Sequence, residues 1–353
     1  MRIQDKIRRL FGSLDIQEQK MMLKELKRKS RKPSTKPITM PVTQCPYCAS
    51  SDFSKNGHRN GQQRYKCKSC TKIFSGKTGT VLHGIKERKK FDKYFKLMNE
   101  EYLPIAKMAK IIGISVQTAF DWRHKILCGL KSSPETFDGI TEIDDVWFLY
   151  SQKGRQGLKY SRKRGGSHRQ GDNKFQVKLL ITADREKNKD MSVVKIGRIT
   201  KTDIRKSIGG KFKDTCILVS DKHRSIAAFA KSEKIPHVSF ISSTHTAGGE
   251  YHVQTVNNIA SRMKTIVNHK LRGVSTKYLQ NYSNWFNQMD DLGQNRKKIK
   301  DVKKEMLQSP AWSVFTQSEQ SYKKFIKTRS DRTYRCPVQR KWSTKISRIK
   351  QIS

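Results

Sequence analysis

Four cysteines fall in two pairs, CPYC (Cys45, Cys48) and CKSC (Cys67, Cys70), with eighteen residues between the pairs. Each CxxC turn offers two thiolates, and two such turns complete the tetrahedral four-cysteine set of structural zinc. The stretch between them, KNGHRNGQQRY, holds an Asn-Gly turn flanked by strand-like residues, so a zinc ribbon is expected. Two disulfides or a redox pair are the competing readings. With all four positions taken by thiolates, the Zn2+ would fold a small module and not catalyse. Cys128, Cys216 and Cys336 are scattered and read as buried free thiols.

Carboxylates inside apolar strands are a second source of chemistry. GITEIDDVWFLY sets Glu142, Asp144 and Asp145 among Ile143, Val146, Phe148 and Leu149, and DTCILVSDKHRSIAAFAKSEKI reads as a buried strand ending at Asp221 before a helix. In YHVQTVNNIASRMK the series Val256, Ile259 or Ala260, Met263 and Val267 marks a helix with one buried face. Asn257 and Lys264, seven residues apart, lie almost in line beside that face. Each has a plain structural reading. Asp144 or Asp145 blunts an edge strand, Asp221 caps the helix after it, and Asn257 with Lys264 forms a solvated helix edge. Asp184, at the end of its strand, reads as a turn residue.

The elements that must position these residues alternate as β-β-β-α-β-α-β-α between residues 138 and 290. An Asp within the first strand and another at the tip of the fourth describe an α/β, ribonuclease H-like core. Adjacent first and fourth strands would set Asp144 beside Asp221, with Asn257 laid against them. Two carboxylates that close repel unless protonated or bridged, so Mg2+ or Mn2+ is the expected occupant. Such ions could activate a water or a 3′-hydroxyl and stabilise the leaving oxygen of a phosphodiester. Lys264 could hold a DNA phosphate nearby.

Ahead of this core, LPIAKMAKIIGISVQTAFDWRHKIL reads as a helix-turn-helix within residues 88–130. Pro104 starts a helix with Ala106, Ala109 and Ile112 on one face. Gly113 turns the chain, and Ser115 caps a second helix whose inner face is Val116, Ala119, Phe120 and Ile126. Gln117, Thr118, Asp121 and Lys125 would then face a major groove. A helical hairpin that only packs internally is the alternative. Residues 1–40 form a basic helical segment ending in the linker RKPSTKPITMP, residues 41–82 the ribbon, and residues 291–353 a basic helical tail.

Across 353 residues, 75 Lys and Arg face 30 Asp and Glu, a formal charge of +45 spread along the whole chain. That excess calls for a polyanion, and double-stranded DNA fits it best. A basic ribosomal or membrane-surface protein is the competing class. No apolar run approaches a membrane span and no signal-peptide segment is present, so a cytoplasmic, nucleoid-associated protein is expected.

From Cys45 to about residue 290 the sequence resembles the insertion-sequence transposases of the IS-fifteen-ninety-five family, with their ISXO-two-like DDE domain. The likeness rests on CPYC, RYKCKSC followed by FSGKTGT, EIDDVWFLYSQKG, ILVSDKHRSIAAFAK and YHVQTVNNIASRMKTIVNHKLRGVSTKYLQNYSNWF. It implies a metal-dependent transposase that cleaves the inverted-repeat ends of its element and joins the freed 3′-hydroxyls to target DNA, as a homo-oligomer on DNA. It also implies Asp144, Asp221 and Asn257 as metal-binding catalytic positions and Lys264 as the basic residue after them. Asn257 stands where many transposases place glutamate, and Glu250 is the fallback third carboxylate. A domesticated or decayed copy that binds DNA without cutting it stays open, as does a nuclease on the same fold.

Overall fold

The computed structural model describes residues 3–30, 42–59, 61–130, 136–154, 173, 175–241, 248–294 and 297–308. The linker RKPSTKPITMP, Cys336 and the tail after residue 308 lie outside the described residues. The chain divides between Thr78 and Gly79 into two units.

In the first unit, helices α1 (Ile3–Gly12) and α2 (Ile16–Ser30) meet at Asp15. The Asp15 carboxylate accepts the Glu18 amide at 2.7 Å, and Glu18 accepts the Asp15 amide at 3.3 Å, a reciprocal cap that starts α2. Strands β1 (Phe53–Arg59), β2 (Gln62–Cys67) and β3 (Ile73–Ser75) follow as one antiparallel sheet. Gly61 turns the first hairpin with φ 71°, a left-handed backbone that glycine adopts without strain. Phe53, Tyr65 and Phe74 pack with ring centroids 5.4, 5.5 and 5.7 Å apart beside Cys45 and Cys67. So small an apolar cluster needs a staple to hold its fold.

The second unit begins with α3 (Arg88–Met98), α4 (Ile105–Ile112) and α5 (Val116–Gly129). Gly113, at φ 70°, ends α4, and Ser115 Oγ accepts the Thr118 amide at 3.1 Å to open α5. The five-stranded sheet comprises β4 (Ile140–Leu149), β5 (Gln176–Asp184), β6 (Lys189–Ile196), β7 (Ile217–Asp221) and β8 (His237–Phe240). Helix α6 (Lys201–Ile208) precedes β7, and α7 (Arg224–Glu233) links β7 to β8. After β8 come α8 (Gln254–Thr265), a π-helical turn (Ile266–Lys270), α9 (Leu279–Gly293) and α10 (Ile299–Gln308). The strand order is β6-β5-β4-β7-β8, antiparallel from β6 to β4 and parallel from β4 to β8.

Both faces of this sheet are covered. Ile143, Leu180 and Leu218 meet Ile204, Ile208, Ile226 and Phe229 of α6 and α7 on one face. Val146, Phe148, Leu179 and Ile181 share the other core with Val256, Ile259 and Met263 of α8, Trp285 of α9, and Phe91 and Trp122. No helix among the described residues is long and apolar enough to cross a membrane.

Two details of the helical pair differ from the sequence reading. Ala106 is exposed, and α4 buries Met108, Ala109 and Ile112; Val116 is 56% exposed, and α5 buries Ala119, Trp122, Arg123, Ile126 and Leu127. The cause is tertiary: α5 packs against α4, α9 and α10, so its buried arc is broader than one amphipathic stripe. Buried Arg123 donates to the Leu103 carbonyl at 2.8 Å and lies over the Trp285 ring at 5.0 Å.

Candidate functional site

The four cysteines of the first unit converge, with all four Sγ atoms within 4.8 Å of one another. Cys45 Sγ lies 3.6 Å from Cys70 Sγ, and Cys48 Sγ lies 3.6 Å from Cys67 Sγ. A disulfide would need about 2 Å, whereas a tetrahedron with Zn–S of about 2.3 Å has sulfur–sulfur edges of about 3.8 Å. The donors therefore fit zinc. The two knuckles repeat one backbone device. Cys45 N donates to Ser50 O at 2.8 Å and Cys67 N to Lys72 O at 3.0 Å, and the residue after each pair, Ala49 or Thr71, has a left-handed φ. The Cys70 amide donates to Cys67 Sγ at 3.5 Å and lowers the Cys67 thiol, while contact with the other thiols raises Cys48 in the same cluster. Cys128 and Cys216 are buried free thiols.

In the second unit, β4 and β7 run parallel with Glu142 opposite Val219. The pairing ends there, and Asp221, two residues past Val219, acts on Asp144, two residues past Glu142. Burial first, then the charges of Asp145 and Asp221, push the Asp144 carboxyl up to about 7. That rise is the signature of buried, crowded carboxylates, a setting that suits a divalent cation. Asp145 does not join them. Its Oδ2 pairs with Lys178 Nζ at 2.6 Å, its Oδ1 lies 3.7 Å from His223 Nε2, and its amide donates to Asp144 Oδ1 at 2.7 Å.

Helix α8 runs alongside β4. Its Val256 amide donates to Glu142 Oε2 at 3.1 Å near one end, and the Lys264 ammonium lies 5.5 Å from the Trp147 ring near the other. Glu142 and Trp147 flank Asp144 in β4, so the stretch of α8 from Asn257 to Lys264 passes Asp144. Asn257 is half-buried, and among the described residues no group bonds its side chain; Lys264 is exposed. Glu250 lies in the turn before α8 with an exposed side chain, and its carbonyl accepts from Arg185 Nη2 at 2.7 Å.

Sequence reasoning gave Glu142 no role. It is wholly buried and accepts from Arg185 Nη1, from Thr255 Oγ1 at 2.7 Å and from the Val256 amide. Its only signal was a place two residues before Asp144 on the same strand face. Asp184 is the turn residue expected: it accepts the Asn188 amide and side chain, each at 2.8 Å.

On α5, Gln117 is exposed and its Nε2 donates to Asp121 Oδ1 at 2.9 Å; Thr118 and Asp121 are half-buried. Lys125 is otherwise engaged, since its ammonium donates to the His83 carbonyl at 2.5 Å.

Residues 136–289 match the ISXO2-like transposase domain. An uncharacterized protein in transposable element ISH50 of Halobacterium salinarum is 25% identical over 243 residues, covering 67% of this chain and 82% of that protein. Among solved structures, a pre-cleavage Mos1 transpososome gives a TM-score of 0.26 at 10% identity, over 70% of this chain and 80% of that one. A simian T-cell lymphotropic virus intasome in complex with PP2A regulatory subunit B56 gamma gives 0.27 at 13% identity, over 54% and 67%. Scores this low carry no argument about geometry.

Proposed function

Because residues 136–289 carry an ISXO2-like transposase domain, we propose that this chain is a DNA transposase. It binds the terminal inverted repeats of an insertion sequence, cuts DNA with divalent cations, and joins 3′-hydroxyl ends to target DNA. The observation that carries this reading is the buried Asp144 carboxyl on β4 beside Asp221 at the end of the parallel strand β7; burial first, then the charges of Asp145 and Asp221, raise it to about 7. The sheet order β6-β5-β4-β7-β8 supports a ribonuclease H-like core over residues 138–290.

In this reading Asp144 and Asp221 hold Mg2+ or Mn2+ as carboxylates, and Asn257 contributes an amide oxygen. Divalent cations there would supply the positive charge that activates a water or 3′-hydroxyl and steadies the departing oxygen. Asn257 adds no negative charge, so it holds its cation more weakly than glutamate would. Lys264 meets a DNA phosphate from its exposed position on the same helix. The Cys45, Cys48, Cys67 and Cys70 ribbon and the α4–α5 pair bind the element ends, with Gln117 and Thr118 toward the groove. The excess of 75 basic over 30 acidic residues supplies sequence-independent affinity. Assembly as a homo-oligomer on DNA and residence at the nucleoid follow from this role.

Asn257 itself favours a second reading, a domesticated DNA-binding protein that no longer cuts. DNA flanking the gene supplies the candidate ends, and Mg2+- or Mn2+-dependent nicking of those ends is the test. Asp221→Asn should abolish nicking without weakening end binding. End binding with no nicking in the wild-type chain establishes the second reading, and nicking that survives Asp221→Asn removes the site proposed here.

A further inference from the structure

At the start of helix α8 the local chain supplies one weak acceptor, His252 Nδ1, which takes the Gln254 amide at 3.4 Å. Val253 stands at the N-cap position with no side-chain oxygen to offer, although the first turn of any helix leaves amides unsatisfied. The acceptor for the Val256 amide comes from the neighbouring strand. Glu142 takes the Val256 amide with one oxygen, and Thr255 Oγ1 and Arg185 Nη1 with the other; His252 Nδ1 lies 3.3 Å away. A buried carboxylate is retained only where donors and positive charge surround it, and here the helix N-terminus and Arg185 supply both.

The other end of the same helical run is tied to the same strand. Lys153, four residues past the end of β4, spends its ammonium on three carbonyls: Leu271 at 3.2 Å, Arg272 at 2.8 Å and Gly273 at 2.7 Å. These lie just beyond the π-helical turn, where Arg272 and Gly273 both take left-handed φ values. Three carbonyls match the three protons of an ammonium, at the end of a helix where positive charge is favoured. Ser151 and Thr276 close the same junction: Thr276 N donates to Ser151 O, and Ser151 N donates to Thr276 Oγ1, both at 2.9 Å.

We infer that Glu142 and Lys153 are positioning residues: they fix α8 at both ends to the strand bearing Asp144 and so set Asn257 and Lys264 against the carboxylate pair. The inference rests on the reading of Asp144, Asp221 and Asn257 as the divalent-cation site. β4 then acts as a ruler for α8. Because an amide ligand adds no charge, the site depends more on placement than a three-carboxylate site would.

The test is Mn2+ binding by the zinc-loaded full chain, followed by electron paramagnetic resonance. Five variants are compared with wild type: Glu142→Gln, Lys153→Met, Lys153→Arg, Asp144→Asn and Asp221→Asn. Outer-shell changes at metal sites cost about tenfold or more in affinity. Glu142→Gln should weaken Mn2+ binding by about that factor, and Lys153→Met by several-fold, with Lys153→Arg restoring most of the loss. If Glu142→Gln fails to fold, Lys153→Met carries the test, because it lies at the molecular surface. Wild-type affinity in both Glu142→Gln and Lys153→Met, with loss in Asp144→Asn and Asp221→Asn, overturns the inference and leaves the cation site standing. Undiminished binding in Asp144→Asn and Asp221→Asn overturns the site and the inference together.

Discussion

Asp144 and Asp145 are neighbours in β4 that serve opposite faces of the sheet: the first lies beside Asp221, and the second pairs with Lys178 at 2.6 Å. Alternation along the strand dictates this, because Ile143, of the same parity as Asp145, faces the α6–α7 core. The two residues should therefore fail differently. Asp145→Asn removes the negative charge that faces the Lys178 ammonium, 5% exposed, a loss of about 3 kcal/mol. Nicking by the remaining folded protein should persist. Asp144→Asn should abolish nicking with stability kept or raised. Urea unfolding and nicking of end DNA, measured on both variants, check the contrast.

The raised Asp144 carboxyl makes the cation-free protein sensitive to pH. Its folded value, about 7, exceeds the ordinary carboxylate range near 4, so the folded state binds the proton more tightly than the unfolded state does. The resulting stability is fully present below about pH 4 and is lost as pH rises through about 7. In chelator, melting temperature should fall across that window more steeply for wild type than for Asp144→Asn. Taking the difference between the two proteins cancels the contribution of the ribbon. Equal slopes would mean that Asp144 is not crowded. Divalent cation should also bind more tightly above pH 7, where it no longer competes with that proton.

Much of this site was legible because its signals are local. The two CxxC pairs mark by spacing alone the four thiols that converge, and the apolar series through Val256, Ile259 and Met263 marks the face that α8 buries. What stayed hidden depends on partners distant in the chain. Glu142 and Asp144 are both acidic and share one strand face; only the arrival of Arg185, Thr255 and the α8 amide separates their surroundings. The inner face of α5 was misjudged at Val116, which is exposed, and its breadth was missed because α9, more than a hundred residues later, also packs on it. Lys125 looked free to meet DNA because its acceptor, the His83 carbonyl, belongs to a loop without periodicity.

The ribbon should come apart without the second unit. Its core amounts to Phe53, Tyr65 and Phe74 around the cysteines, so zinc at the four thiols would supply most of what holds it. Cys67→Ser should abolish binding to element ends and reduce bound zinc from one ion per chain to none. The main thermal transition, carried by the larger unit after Thr78, should remain. Zinc analysis, gel shift and calorimetry on one preparation decide this. Loss of the main transition would mean the two units fold as one.

On α5 the carboxylate of Asp121 is the unusual element, a negative charge on the face proposed to meet DNA. It accepts from Gln117 Nε2 at 2.9 Å, one helical turn earlier, and so fixes which way the Gln117 amide points. An oriented amide can make the paired contact to adenine that a freely rotating one makes poorly. Under the proposed function Asp121 would trade affinity for discrimination. Asp121→Ala should strengthen binding to random duplex, because a repelling charge is gone, and narrow the gap between element ends and random DNA. Gln117→Ala should weaken end binding by about 1–3 kcal/mol while leaving random duplex unaffected. Lys125→Ala should alter thermal stability more than either affinity, since its ammonium serves His83. Competition binding at fixed salt, with end and random duplexes, separates the three variants. Equal losses on both duplexes for Gln117→Ala would assign α5 to backbone contact alone.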